Sequence, residues 1–124
     1  MQGLLMTLKD EGYRVDTCNV LEEVLQSIVV SPEKWRYLFV DLDNLREADE
    51  YSEIIDSLSE FRRISPAVVL LLVSEKFGSD DFSTHRLLIS DISLKLPVNA
   101  DELADNLGIA RANNSIWQAR LRTH

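Results

Sequence analysis

The residues best placed to do chemistry stand at the ends of apolar runs. Asp41 follows Tyr37-Leu38-Phe39-Val40 and is followed by Leu42-Asp43. The run is too short for a helix and reads as a strand buried on both faces, as in a parallel sheet. A carboxylate is costly inside such a sheet, so Asp41 belongs at the strand's C-terminal edge. In open α/β sheets that edge is where ligands and chemistry collect. The plainer role for Asp41 and Asp43 is to cap the element that follows. Ser74 ends a second buried run, Ala67 to Val73, as Asp41 ends the first.

Few other side chains suggest a site. Cys18 excludes an internal disulfide and belongs to no metal-ligand cluster; it reads as a small apolar filler at a strand end rather than a reactive thiol. His85 has no second ligand nearby in sequence, and His124 is the terminal residue. Glu47, Asp49, Glu50 and Glu53 crowd the start of a helix, where its dipole favours them over a cation-site role.

Charge narrows the class of partner. The 124 residues hold 13 basic and 21 acidic side chains, net −8. That disfavours nucleic acid and anionic membrane, which need a cationic surface. No apolar run approaches the roughly 18 residues of a membrane span, and no basic leader opens the chain. A reducing cytoplasm fits these features.

The elements that must hold the acidic edge alternate. Leu4, Leu5 and Leu8 give a helix over 2–11, closed by Gly12. Residues 13–18 alternate and read as a strand. Asn19 and Glu22 form a capping box for a helix carrying Leu21, Val24, Leu25 and Ile28, which Ser31-Pro32 ends. Tyr51, Ile54, Ile55, Leu58 and Phe61 mark the clearest helix, and Pro66 breaks it. A short helix is expected through Leu87-Leu88. Ile92, Leu94 and Leu96 alternate with Ser93 and Lys95 as in an edge strand with one face partly exposed, stopped by Pro97. Asn99 and Glu102 cap a last helix from Leu103, which Trp117 and Leu121 prolong. The order α-β-α-β-α-β-α-β-α implies one α/β domain over 1–124, a doubly wound parallel sheet with four strands visible and 109–124 as a helical extension.

Four pieces of this order resemble the receiver domain of two-component response regulators, which has a flavodoxin-like fold. Leu4 to Leu8 with Glu11-Gly12-Tyr13-Arg14-Val15 looks like that family's first helix and second strand. Leu38 to Leu45 is similar to its phosphoacceptor strand and loop, Pro66 to Ser74 to its fourth strand, and Leu94 to Leu103 to its Lys-Pro segment. The resemblance implies that Asp41 is the phosphoacceptor and that Asp41 and Asp43, the latter through its carbonyl, bind Mg²⁺. It also implies that Ser74 and Lys95 contact the phosphoryl group.

The departures from the family are specific. Its first strand, which ends in two acidic metal ligands, has no counterpart. Leu96 rather than Lys95 directly precedes Pro97, and one step along a strand reverses a side chain's direction. No aromatic switch residue stands two before the Lys. The expected function is therefore a degenerate signalling domain, not an enzyme. It would work by protein–protein interaction with a sensor kinase or another signalling protein. Mg²⁺ binding would be weak. The missing strand leaves sheet edges open and suggests a homodimer, with the N-terminal region or the last helix and Trp117 at the interface.

Two alternatives share these residues. Asp41-Leu42-Asp43 also looks like the haloacid-dehalogenase signature, with Asp41 as nucleophile and Asp43 as acid, although Leu45 stands where that family has Thr or Val. Residues 103–121 resemble a helix-turn-helix core, although Asn114 occupies a position that should be apolar.

Overall fold

A computed structural model describes residues 1–44 and 51–123, with the backbone alone at Tyr51. Leu45, the acidic Glu47, Asp49 and Glu50, and His124 lie outside the described residues. Among the described residues four helices accompany three strands: α1 (Gln2–Asp10), α2 (Leu21–Val30), β1 (Tyr37–Asp41), α3 (Tyr51–Ile64), β2 (Val69–Ser74), β3 (Ile92–Lys95) and α4 (Leu103–Arg122). The strands form one parallel sheet in the order β1-β2-β3.

Side-chain alternation divides the core into two layers. Val69, Leu71, Val73, Ile92, Leu94 and Leu96 face α1 and α4, meeting Leu4, Leu8, Leu103, Leu107 and Ala110. Leu38, Val40, Leu70 and Leu72 face α2 and α3, meeting Leu25, Ile28, Ile54, Leu58 and Phe61. The central strand β2 is buried along its whole length, as the apolar run implied. The result is a mixed α/β fold with helices on both faces of a parallel sheet.

Gly12 does what its type predicts. At φ +93° it ends α1, with Gly12 N–H on the Lys9 carbonyl and Tyr13 N–H on the Leu8 carbonyl, both at 3.0 Å. This is the two-bond Schellman closure.

Residues 13–18 are not a strand. Tyr13 and Val15 are half-buried against the α1–α4 layer, but the backbone joins no ladder. Alternation fixed which side chains turn inward without supplying a hydrogen-bonding neighbour. The Tyr13 ring meets Tyr37 edge-on at 5.8 Å, a side-chain contact in place of strand pairing. The fourth strand of the expected sheet is thus absent from the described residues. Nor does Asn19 cap α2: the helix starts one residue later, with Val20 at the cap and no side-chain cap bond.

The expected helix through Leu87-Leu88 is a series of turns. The Leu87 carbonyl accepts from Arg62 Nε and Nη2 at 3.2 and 3.1 Å, which takes it from any helical partner. Ser93, expected on an exposed face, is buried because Asp81 pairs with it across β3's outer edge.

α4 runs uninterrupted from Leu103 to Arg122, so the chain has no turn after Gly108 and no helix-turn-helix there. Its polar residues hold it down. Asn114 Nδ2 donates to the Pro66 carbonyl at 2.9 Å and to Asp91 Oδ2 at 3.2 Å, and Asn113 Nδ2 donates to the carbonyls of Phe82 and Asp91. Trp117 is buried, donates from Nε1 to the Arg62 carbonyl at 3.1 Å and stacks under the Arg62 guanidinium. It serves this core and is not presented to a partner, contrary to the interface expected for it.

Candidate functional site

The C-terminal edge of the sheet gathers the acidic residues with the end of β2. Asp41 is the last residue of β1, and a 3-10 turn over Leu42–Asn44 follows. That turn starts under Asp41: the Asp43 N–H donates to Asp41 Oδ1 at 3.0 Å. Asp41 therefore caps the turn, while its second carboxylate oxygen accepts nothing from the described residues.

The turn swings Asp43 toward β2. Ser74 donates its hydroxyl to Asp43 Oδ1 at 2.6 Å, and the Glu75 N–H donates to Oδ2 at 2.7 Å. Ser74 Oγ in turn accepts the Lys76 N–H at 3.0 Å. These bonds clamp the loop after β1 to the loop after β2. They also hold the Asp43 carboxyl below the usual aspartate range: the Ser74 hydroxyl contributes most, then the Glu75 N–H. The Lys76 side chain and the N-terminal ammonium group act in the same direction, against partial desolvation.

Lys95 serves a different contact. Its ammonium donates to the carbonyls of Glu75 and Phe77 at 2.9 and 2.7 Å. Alternation explains why. Asp41 continues the set Tyr37, Phe39 that turns toward α1 and α4, whereas Lys95 opposes Ile92, Leu94 and Leu96, which turn that way. The two side chains thus start from opposite faces of the sheet. Lys95 ties down the start of the loop after β2, and its N–H donates to Asp80 Oδ1 at 2.7 Å.

The structure therefore brings Asp41, Asp43 and Ser74 to one edge and turns the Lys95 amine onto loop carbonyls. Asp43 rather than Asp41 is the carboxylate that Ser74 engages. For Mg²⁺ the donor set is thin. Both Asp43 carboxylate oxygens already accept hydrogen bonds, which leaves one Asp41 oxygen and the Asp43 main-chain carbonyl, whereas the ion demands near-octahedral oxygen coordination. Among the described residues no three His, Cys, Asp or Glu side chains converge. The carboxylates present do not make a Mg²⁺ cage by themselves.

Sequence patterns did not reveal Arg62 or Asp91, the charged pair at the centre of the fold. The signal was there: Arg62 lies four residues after Leu58 and directly after Phe61, inside the apolar stripe of α3. No described helix is long and apolar enough to cross a membrane. No protein-family model, curated protein or solved structure matches the chain.

Proposed function

We propose that the chain is a receiver-like signalling domain of the two-component response-regulator type, flavodoxin-like in fold and degenerate at its phosphorylation site. In this reading Asp41 is a vestigial or conditional phosphoacceptor. Output comes from binding a sensor kinase or another signalling protein in the cytoplasm, and no substrate is turned over.

One observation carries the reading. An accessible aspartate ends a parallel strand beside a serine that ends the next one, and the two ends are joined through the 2.6 Å bond between Asp43 and Ser74. A carboxylate so placed is a nucleophile of the Asp/Glu class. The commitments around it set the limits. Lys95 Nζ is held by the Glu75 and Phe77 carbonyls, and Ser74 by Asp43, so a phosphoryl group on Asp41 would meet neither that ammonium nor that hydroxyl without rearrangement. Protein binding is the role that survives such a loss.

The test is intact-mass analysis after incubation with acetyl phosphate and Mg²⁺. The chain should stay largely unmodified. Stoichiometric labelling that disappears in Asp41→Asn would restore an ordinary phosphorylated receiver. Hydrolysis of p-nitrophenyl phosphate, lost in the same variant, would replace the signalling reading with a phosphohydrolase using Asp41 and Asp43.

A further inference from the structure

The end of β2 carries two hydrogen-bond donors that are fixed from behind. Ser74 is only 3% exposed, and its Oγ accepts the Lys76 N–H at 3.0 Å. A serine hydroxyl has one proton, and that bond leaves it aimed away from Lys76. The Ser74 carbonyl accepts the Leu96 N–H, just past β3, at 3.0 Å. The carbonyl and N–H of one trans peptide point in opposite directions, so the next N–H, that of Glu75, is turned toward β1. The Lys95 ammonium holds the same loop by the Glu75 and Phe77 carbonyls. None of these constraints involves Asp43.

Both donors converge on one anion, the Asp43 carboxylate, at 2.6 and 2.7 Å. Hydrogen bonds to an ionised acceptor are about twice as strong as neutral ones. Yet Asp43 belongs neither to β2 nor to its loop. It is exposed, on the short turn after β1, and that turn contributes no buried residue. Asp41 stands beside the donors, paired in register with Val73, the residue before Ser74.

We propose that the Ser74 hydroxyl and the Glu75 N–H form a cradle for an oxyanion of the phosphate class, and that Asp43 is its internal competitor. The carboxylate gives the two donors what a phosphoryl group gives them, a pair of anionic oxygens at close spacing. While Asp43 is seated, the cradle is shut both to free anions and to a phosphoryl group on Asp41. Removing Asp43 uncovers donors already in position. Self-occupation, rather than loss of the donors, then keeps this edge silent. The part played by Asp41 rests on the signalling reading above; the cradle and its competitor do not.

The test is an amide NMR titration of the full chain with inorganic phosphate, referenced to chloride at equal ionic strength. In Asp43→Ala the Ser74, Glu75 and Lys76 signals should shift saturably. The wild type should bind roughly tenfold more weakly or worse, since a site open less than about a tenth of the time loses apparent affinity in proportion. Asp43→Asn keeps one acceptor without the charge and should fall between the two, which covers an alanine variant that fails to fold. Adding Ser74→Ala to either variant should remove the binding.

Acetyl phosphate then separates the two sources of the anion. Labelling of Asp43→Ala at Asp41, whose oxygen bonds phosphorus as acetate departs, makes the phosphoryl group on that residue the ligand. Phosphate binding without labelling keeps the cradle, assigns it to free oxyanion and refutes Asp41 as a phosphoacceptor. No phosphate binding in either Asp43 variant, equal affinity in the wild type, or shifts that survive Ser74→Ala would each overturn the proposal.

Discussion

Arg62 and Asp91 meet as a two-pronged ion pair in the interior. Nη1 lies 2.9 Å from Oδ2, Nη2 lies 2.7 Å from Oδ1, and both side chains are fully buried. Their remaining capacity is used: Arg62 Nε and Nη2 donate to the Leu87 carbonyl, and Asp91 Oδ2 accepts the Leu70 N–H. One pair thereby joins α3, the central strand, the β2–β3 connection and α4. Truncating either partner strands the other charge, which costs about 3–5 kcal/mol. Arg62→Met and Asp91→Ala should each lower stability in urea by that amount. A loss under about 1 kcal/mol would show that the pair is incidental.

The clamp at Asp43 makes a pH prediction. Its carboxyl titrates lower in the folded chain than when unfolded. Such a group stabilises fully above the unfolded value, and that contribution disappears as pH falls through the folded one. Urea midpoints of the wild type and Asp43→Asn should therefore differ at neutral pH and converge in acid. A gap that is constant down to the acid end would mean that the charge of Asp43 plays no part.

Gly12 should be replaceable only at a backbone cost. A Cβ built there meets nothing within 4 Å, but φ is +93°. Gly12→Ala should lose on the order of 1 kcal/mol from left-handed strain alone. Thermal melting of the two chains measures it, and an unchanged or higher melting temperature would contradict the assignment.

Lys95→Met should loosen the loop after β2 and leave Asp41 undisturbed, since the ammonium is spent on Glu75 and Phe77. Hydrogen exchange reads this directly. Faster exchange at 75–78 with no change near residue 41 is the expected pattern. A response centred on Asp41 would place the amine in the acidic site after all.

Self-association is the fifth structural expectation. β1 lies at one side of the sheet, and no described residue pairs with its outer edge. Tyr37 and Phe39 are only half-buried beside it. Unpaired edges with apolar neighbours recruit other strands. Light scattering at micromolar concentration should report a homodimer, and Phe39→Lys should dissociate it. A monomer at that concentration would remove the proposal.

Much of this fold was legible as periodicity. Leu4 and Leu8, Leu25 and Ile28, and Leu58 and Phe61 announce their helices, and the unbroken run through Val73 announces the central strand. Residues 13–18 were misread because alternation encodes burial of side chains and carries no information about a backbone partner. The turns at 85–89 were misread because Arg62, distant in sequence, claims the Leu87 carbonyl. Asn114 stands where a helix-turn-helix core needs an apolar residue, yet its amide finds a carbonyl and a carboxylate that folding places there. At the acidic edge, the strand ends at Asp41 and Ser74 could be located from composition. That Ser74 would bond Asp43 depends on the direction of a 3-10 turn, which no residue pattern specifies.

The two sides of the sheet are finished differently. Beyond β3, Asp81 and Ser93 exchange backbone hydrogen bonds at 2.8 and 2.9 Å, and Asp80 takes the next N–H. That side offers no template to an incoming strand. Among the described residues β1 alone keeps an open edge, so two copies joined β1 to β1 would consume each other's receptive edge. An assembly formed that way would close at two, because the same surface is used by both copies. A one-sided sheet of this kind can pair without growing into a fibre.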